Sequence, residues 1–404
     1  MENAKTFVCI SNYFKGVDFL IRLKKLENTV YLVTSDKLKD KPWPHEFIDE
    51  IFYMPGSDLE WNLEHLFLGI SNLMKSKKVD SIIALDDFDV EKATYLRENL
   101  RIEGMGQTIG RYFRDKLAMR MNAKNYGIPV PDFSSLFHDA DINTFIDTVS
   151  PPWVLKPRSE ASATGIMKIH DKETLWAHIH EMGNNRFKYL VEQFKPGDVY
   201  HCDSLILNHQ LLFSITSKYL ATPMEITQGG GVFRTANIPY DSEDDIEIKK
   251  INEQVLKSFG LKNGVAHTEF IKCHETGEIY FLETSSRVGG AHIAEMVEAA
   301  SSINLWKEWA TIEDALVKKK EYQLPEIKQE YVGIVLTLSK YEHPDLTDFS
   351  DPEVCFRVPL EYHAGLIVKS KKHSRVAELL NQYADRLIAD YTVIVAQNKV
   401  SKLH

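Results

Sequence analysis

The chain has 404 residues, 44% of them apolar and 11% aromatic, enough to bury a large core spread over two to four domains or lobes. A formal net charge of −10 leaves no basic footprint of the kind polyanion binders show, which sets nucleic acid aside as a main partner and requires any anionic ligand to be met locally. No stretch approaches the roughly 18 apolar residues of a membrane span, and no apolar leader follows Met1, so the expected location is cytoplasmic.

The first hundred residues alternate short apolar runs with amphipathic ones. Strands are predicted over Thr6–Ser11, Thr29–Ser35, Glu50–Tyr53 and Ser81–Leu85, with a helix over Leu59–Met74 among the connecting segments, a pattern that predicts a parallel α/β sheet. The acidic run Asp86-Asp87-Phe88-Asp89 follows the last strand, at the end where open α/β sheets collect ligands; it would serve equally as an acidic helix N-terminus. Ser11 to Gly16 stands where a Gly-x-Gly-x-x-Gly fingerprint would follow the first strand, which disfavours a dinucleotide-binding dehydrogenase. The cysteines Cys9, Cys202, Cys273 and Cys355 are scattered and form no CxxC pair, so they are expected to be reduced.

Beyond about residue 108 the character changes. Arg111–Tyr126 reads as a basic amphipathic helix ending at Gly127, and the extended Ile128-Pro129-Val130-Pro131 marks a domain junction. A helix over 139–148, a strand over Trp153–Lys156, the small-residue loop Ser159–Gly165 and a strand over Met167–His170 predict a hairpin whose backbone amides could lie over phosphates. Strands follow at Tyr189–Phe194, Val199–Leu207 and His209–Leu220. The polar, glycine-rich stretch Thr222–Thr235 reads either as a lid or as an ordinary long connection.

The most informative segment begins at Gly264. Alternation places His267, Glu269 and Ile271 on one face of a strand, and Gly277 turns the chain into Ile279–Glu283, so that Glu269 and Glu283 can face each other across a hairpin. Two carboxylates so close repel, and a hard divalent cation with oxygen ligands is one stable solution. Arg287, Gly289-Gly290 and His292 follow just before a predicted helix, a combination suited to an anionic group.

The run Phe281-Leu282-Glu283-Thr284-Ser285-Ser286-Arg287-Val288-Gly289-Gly290-Ala291-His292 resembles the Glu-x-Asn-x-Arg segment of ATP-grasp enzymes. Asp115-Lys116, Leu155-Lys156-Pro157, Val191-Glu192-Gln193-Phe194 and His267-Thr268-Glu269-Phe270 resemble that superfamily's other nucleotide and metal motifs, in its order along the chain. The resemblance implies an α/β and α+β architecture: a Rossmann-like pre-ATP-grasp domain over 1–108, ATP-grasp lobes over 109–318 with a nucleotide-binding subdomain about 128–196, and a small C-terminal α+β lobe over 319–404. It further implies ATP and Mg²⁺ or Mn²⁺ as cofactors. Lys116 and Lys156 would hold the phosphates, with Ser159, Ala163, Thr164 and Gly165 closing over them; Glu192, Gln193, Phe194 and Lys195 would read the adenine edge, with Asp198 near the ribose. Glu269 and Glu283 would hold the metals with Ser285, which stands where the superfamily usually has asparagine, and Arg287 would join Lys156 in catalysis.

The activity implied is ligation of a carboxylate to an amine through an acyl phosphate, with Arg234, His267, Arg287, Gly289, Gly290 and His292 as substrate contacts. The C-terminal strands Tyr331–Leu338 and Gly365–Lys369, the helix Ser374–Asp390 and the strand Thr392–Ala396 surround Glu361–Ile367, a segment similar to amino-acid-ligase-like and carbamoyl-phosphate-synthase-like members; it favours two amino acids as substrates and assigns His363 no catalytic role. A homodimer is compatible with this reading. The rivals are a bicarbonate-using enzyme on the same fold, for which no Met-Lys-Met biotinylation signature is present, and an ATP-binding protein that has lost turnover.

Overall fold

The computed structural model describes residues 4–55, 61–160, 164–221 and 231–392. Their strands form three sheets. The first is wholly parallel in the order β3-β2-β1-β4, from β1 (Thr6–Ser11), β2 (Thr29–Ser35), β3 (Glu50–Met54) and β4 (Ser81–Ala84). Its central strands are near-continuous apolar runs because helices cover both faces; Phe7, Val8, Cys9 and Ile10 are fully buried. The acidic run lies just past the carboxyl end of β4, as expected.

The second sheet is antiparallel, in the order β5-β8-β6-β7, from β5 (Phe133–Ser135), β6 (Trp153–Pro157), β7 (Met167–Ile169) and β8 (Tyr189–Gln193). The third has eight antiparallel strands in the order β13-β12-β9-β10-β11-β14-β16-β15. They are β9 (Gly197–Leu207), β10 (Gln210–Tyr219), β11 (Phe233–Asn237), β12 (Gly264–Cys273), β13 (Ile279–Ser285), β14 (Tyr331–Leu338), β15 (Val354–Arg357) and β16 (His363–Ser370). The C-terminal strands thus continue the sheet that bears Glu269 and Glu283, and the helix His373–Asp390 packs on them through Val376, Leu379, Leu380 and Tyr383.

The structure differs from the sequence reading in the bounds of two helices, and two further expected elements lie largely outside the described residues. The helix expected over Arg111–Tyr126 is broken: Gln107–Arg111 ends, and a second helix, Lys116–Asn125, starts afresh. The cause is Asp115, whose carboxylate accepts from Leu117 N at 3.0 Å and Ala118 N at 3.4 Å and so supplies an N-cap in mid-segment. The second helix before the parallel sheet's last strand begins at Leu63, capped by Asn62, with residues 56–60 outside the described set. Of the glycine-rich stretch, residues 222–230 lie outside the described residues, and its end, Phe233–Thr235, belongs to β11. The strand expected over Thr392–Ala396 reaches the described residues only at Thr392, in an isolated bridge to Ser339.

Candidate active site

A cavity of about 620 Å³ opens between the second and third sheets and the edge of the first, large enough to enclose a small-molecule ligand. Of the residues singled out in the sequence, Lys116, Lys156, Thr164, Glu192, Gln193, Phe194, Lys195, His267, Glu269, Glu283, Ser285, Arg287 and Gly290 line it.

Position follows from local structure. Asp115 caps its helix and is gripped by Arg158, whose Nε donates at 2.9 Å, so Lys116 starts the helix at a fixed place. Its Nζ donates to Glu160 O at 2.6 Å and pairs with Glu283 at 2.7 Å. On β6, alternation turns Lys156 toward the cavity, where it pairs with Glu192 of β8. The opposite side of that carboxylate takes Arg120 Nε at 2.9 Å, so one buried acid is held between two cations. Burial pulls Lys156 down to about 8, Arg120 adding to the effect and Glu192 opposing it; Glu192 is held low because Arg120 and Lys156 outweigh its burial.

Across β12 and β13, Glu269 and Glu283 are register partners, as the hairpin reading expects. Glu269 accepts from the Tyr219 hydroxyl at 2.9 Å, and His267 Nε2 lies 3.6 Å from it. Burial would raise the Glu269 carboxyl, but His267 and Tyr219 hold it below its ordinary value. Arg287 donates through Nε to Asp87 at 2.8 Å, so the acidic run of the first domain reaches the cavity through its second member. Burial would push Asp87 up; the Arg287 and Arg114 charges, with the Arg287 and Ser285 side chains bonded to it, bring it to about 2.

Behind His267 lies a chain of buried polar groups, His201, Asp203 and Thr235, that the sequence reading did not single out. Asp203 accepts from His201 Nδ1 at 2.7 Å and from His267 Nδ1 at 2.8 Å, and His201 Nε2 meets Thr235 Oγ1 at 2.8 Å. Burial opposes charge on Asp203, but the two imidazoles hold it well below the usual carboxylate range; Asp203 in turn lifts His267 to about 9 against its own burial. His201, Asp203 and His267 are near enough for a common metal ion, but both Asp203 oxygens and all four ring nitrogens already bond within this chain. The available signal was the alternation of β9, which turns His201 and Asp203 to one face. Gly289 explains itself against the same network: a Cβ there would stand 2.9 Å from Asp203 Oδ1 and 3.1 Å from His267 Nδ1.

Other named residues point elsewhere. Ser159, Gly165, Asp198, Arg234, Gly289 and His292 do not line the cavity, and Ala163 lies outside the described residues. Asp198 pairs with Lys218 at 2.7 Å, and Arg234 donates to Asn381 at 2.8 Å on the far side of β11. His292 packs against Phe356 of β15 in a tilted ring pair and contacts Glu295 at 3.3 Å; with Ala291 it forms a turn of two consecutive non-glycine residues at positive φ, 51° and 61°, a strained arrangement at the cavity's edge. His363 contacts the Glu361 carbonyl at 2.7 Å, away from the cavity.

Two antiparallel sheets enclosing lysines on one side and paired glutamates on the other, behind a parallel N-terminal sheet, make up the ATP-grasp fold, and this is the fold of the chain. A family model described as an ATP-grasp domain matches residues 149–295. The chain is 27% identical over 244 residues to an L-arginine-specific L-amino acid ligase of Bacillus subtilis, covering 58% of each, and 21% identical over 190 residues to a D-alanine–D-alanine ligase of Neisseria gonorrhoeae, covering 46% of this chain and 61% of the relative. It therefore spans about three fifths of the length of these relatives. Among solved structures, an L-amino acid ligase from Bacillus licheniformis superposes with a TM-score of 0.74 at 16% identity over 98% of this chain and 100% of its own. An N5-carboxyaminoimidazole synthetase from Staphylococcus aureus complexed with ADP superposes with a TM-score of 0.70 at 15% identity, over 94% and 96%.

Proposed function

We propose that the protein is an ATP- and magnesium-dependent ligase that activates an amino-acid carboxylate as an acyl phosphate and joins it to the amine of a second amino acid, releasing ADP and phosphate. The observation that carries the reading is the single cavity in which Lys116, Lys156, Glu269, Glu283 and Arg287 meet. Amino acids are preferred as substrates because the curated relatives named above are amino-acid ligases.

The donor set fits a hard divalent cation: two carboxylates in register on adjacent strands, with the Ser285 hydroxyl on the same cavity wall. Bound there, magnesium would neutralise phosphate oxygens as charge develops. Lys116 and Lys156 would meet the nucleotide phosphates as point charges. Because the Glu192 carboxylate is taken by Arg120 and Lys156, adenine would be read by the main chain of residues 193–195 and not by that side chain.

The chemistry then runs in two transfers. An oxygen of the substrate carboxylate attacks the γ-phosphorus, the bond to the β-phosphate bridging oxygen breaks, and ADP leaves. The amine next attacks the acyl carbon and, after losing a proton, forms the amide as phosphate departs with the bonding pair. Arg287, aimed by Asp87, would bind the carboxylate and then the oxygen on which negative charge collects. His267, held by Asp203, would present a second positive group beside Glu269.

The test is ADP and phosphate release with ATP, magnesium and pools of amino acids, followed by mass spectrometry of the product. Turnover should need both an acid and an amine donor and should vanish in Glu283→Gln. Nucleotide binding without stimulation by any pool, or ADP release driven by bicarbonate alone, would overturn the reading.

A further inference from the structure

A second cavity, of about 470 Å³, lies on the opposite side of the Ser285–Arg287 run: Ser286 faces it, while Ser285 and Arg287 face the first. β4 and the helix Val90–Leu100 form one wall; the segment 260–265 and the helix Leu305–Lys318 form the other. Its volume is in the range of small-molecule sites. None of the chemistry assigned above uses it.

Two opposite charges stand on its walls without joining each other. Arg97 is anchored by Nε to the Ile82 carbonyl at 2.7 Å and by Nη1 to the Met105 carbonyl at 3.4 Å, which uses two of its five N–H donors. Gly104 packs on its side chain so closely, 2.9 Å to Cδ from a would-be Cβ, that the 103–106 loop fixes where the guanidinium points. Among the described residues, Glu313 accepts only the Trp309 indole N–H, at 3.0 Å. Neither forms an ion pair among the described residues, although each feels the other's charge. Both are half-buried, and that burial lowers Arg97 and raises Glu313. Of the other ionic groups here, Asp80 accepts from Thr6 N at 2.9 Å, Glu103 lies 3.6 Å from Lys262, and Lys319 is exposed to solvent. The same cavity is lined by the apolar side chains Ile83, Val90, Leu261, Leu316 and Val317.

Arg97 and Glu313, set in one cavity with these aliphatic side chains, complement a zwitterion carrying an apolar group. We infer that this cavity binds a free apolar α-amino acid, its carboxylate on Arg97 and its ammonium on Glu313, at a place separate from the active site. Each charge would gain the counter-ion that the fold withholds, and the side chain would cover the aliphatic wall.

Trp309, bonded to Glu313, provides a reporter. The full-length protein is titrated with L-leucine and L-phenylalanine by calorimetry and tryptophan emission, without nucleotide. Saturable binding with an emission change is expected, retained in Arg287→Gln, which disables the first cavity, and weakened at least about tenfold in Glu313→Gln and in Arg97→Gln. The emission change should be lost in Trp309→Phe. 4-Methylpentanoate and 3-methylbutylamine, each lacking one charge, should bind at least about tenfold more weakly than L-leucine. Glu313→Gln preserves shape and serves even where Arg97→Gln fails to fold. Wild-type affinity in Glu313→Gln, loss of all binding in Arg287→Gln with its fold intact, or no response to either amino acid up to about 10 mM overturns the inference.

Discussion

Removing Arg120 tests the claim that Lys156 is tuned by its neighbours. Arg120 is fully buried, Glu192 and Lys156 are 4% and 5% exposed, and the three make one cluster. Arg120→Met keeps most of the volume and deletes the charge. A unit charge about 6 Å away at an effective dielectric near 20 is worth about 3 kcal/mol, on the order of two pKa units. Because Arg120 pulls Lys156 down and Glu192 pulls it up, the variant should release the lysine from about 8 toward its ordinary value near 10.5. In the wild type, kcat/KM for ATP should fall above about pH 8 as the ammonium is lost; in Arg120→Met this alkaline limb should move up by one to two units, roughly. Breaking a buried pair from one side costs about 3–5 kcal/mol, and since Glu192 keeps Lys156 the loss by urea denaturation should sit at the low end. The Arg120 bond to the Leu282 carbonyl is lost as well, which adds to that cost. An alkaline limb that stays in place or moves down, in a folded variant, would refute the reasoning.

Arg287→Lys keeps a charge but cannot reproduce the fork that Asp87 orients, so kcat should fall by about 10²-fold or more while nucleotide affinity, read by calorimetry, changes little. Asp87→Asn should lower kcat in the same direction by a smaller factor, since Arg287 stays but loses its aim; equal kcat in the two proteins would sink the positioning role. Gly289→Ala drives a methyl toward Asp203 and His267 and should cost about 1–3 kcal/mol in denaturant unfolding, with a larger fall in kcat than in ATP affinity. Asp115→Ala removes both the cap and the Arg158 partner, and about 1–2 kcal/mol of stability with them, together with a weaker ATP affinity because Lys116 loses its fixed start.

Much of the architecture was legible because one-dimensional periodicity is enough to specify it. The central strands of the first sheet read as apolar runs and β12 as an alternating one, and the turn at Gly277 returns the chain as β13, so the pairing of Glu269 with Glu283 was legible in the sequence. The helix break at Asp115 was not, because an aspartate inside an amphipathic pattern is equally consistent with a surface position; only its capture of two backbone amides and Arg158 decides the matter. Arg120 and Asp203 were missed for a related reason. Each is a charged residue on a buried face, and what makes it tolerable there is a partner 72 or 64 positions away.

The same reasoning separates the motif residues that line one cavity from those that do not. Lys116, Lys156, Glu269 and Glu283 sit on a helix start and strand faces whose direction follows from capping and period, Arg287 follows two residues after β13, and all five converge. Arg234 and Asp198 were chosen by neighbourhood in sequence, yet on a strand a neighbour points the other way: Arg234 adjoins Thr235, which faces His201, and itself reaches Asn381 across the sheet. Thus a one-residue offset on β11 separates a side chain of the network under Glu269 from one that holds the C-terminal helix, and moving the cation to position 235 would place it against His201, where a fully buried network has no room for a further positive charge.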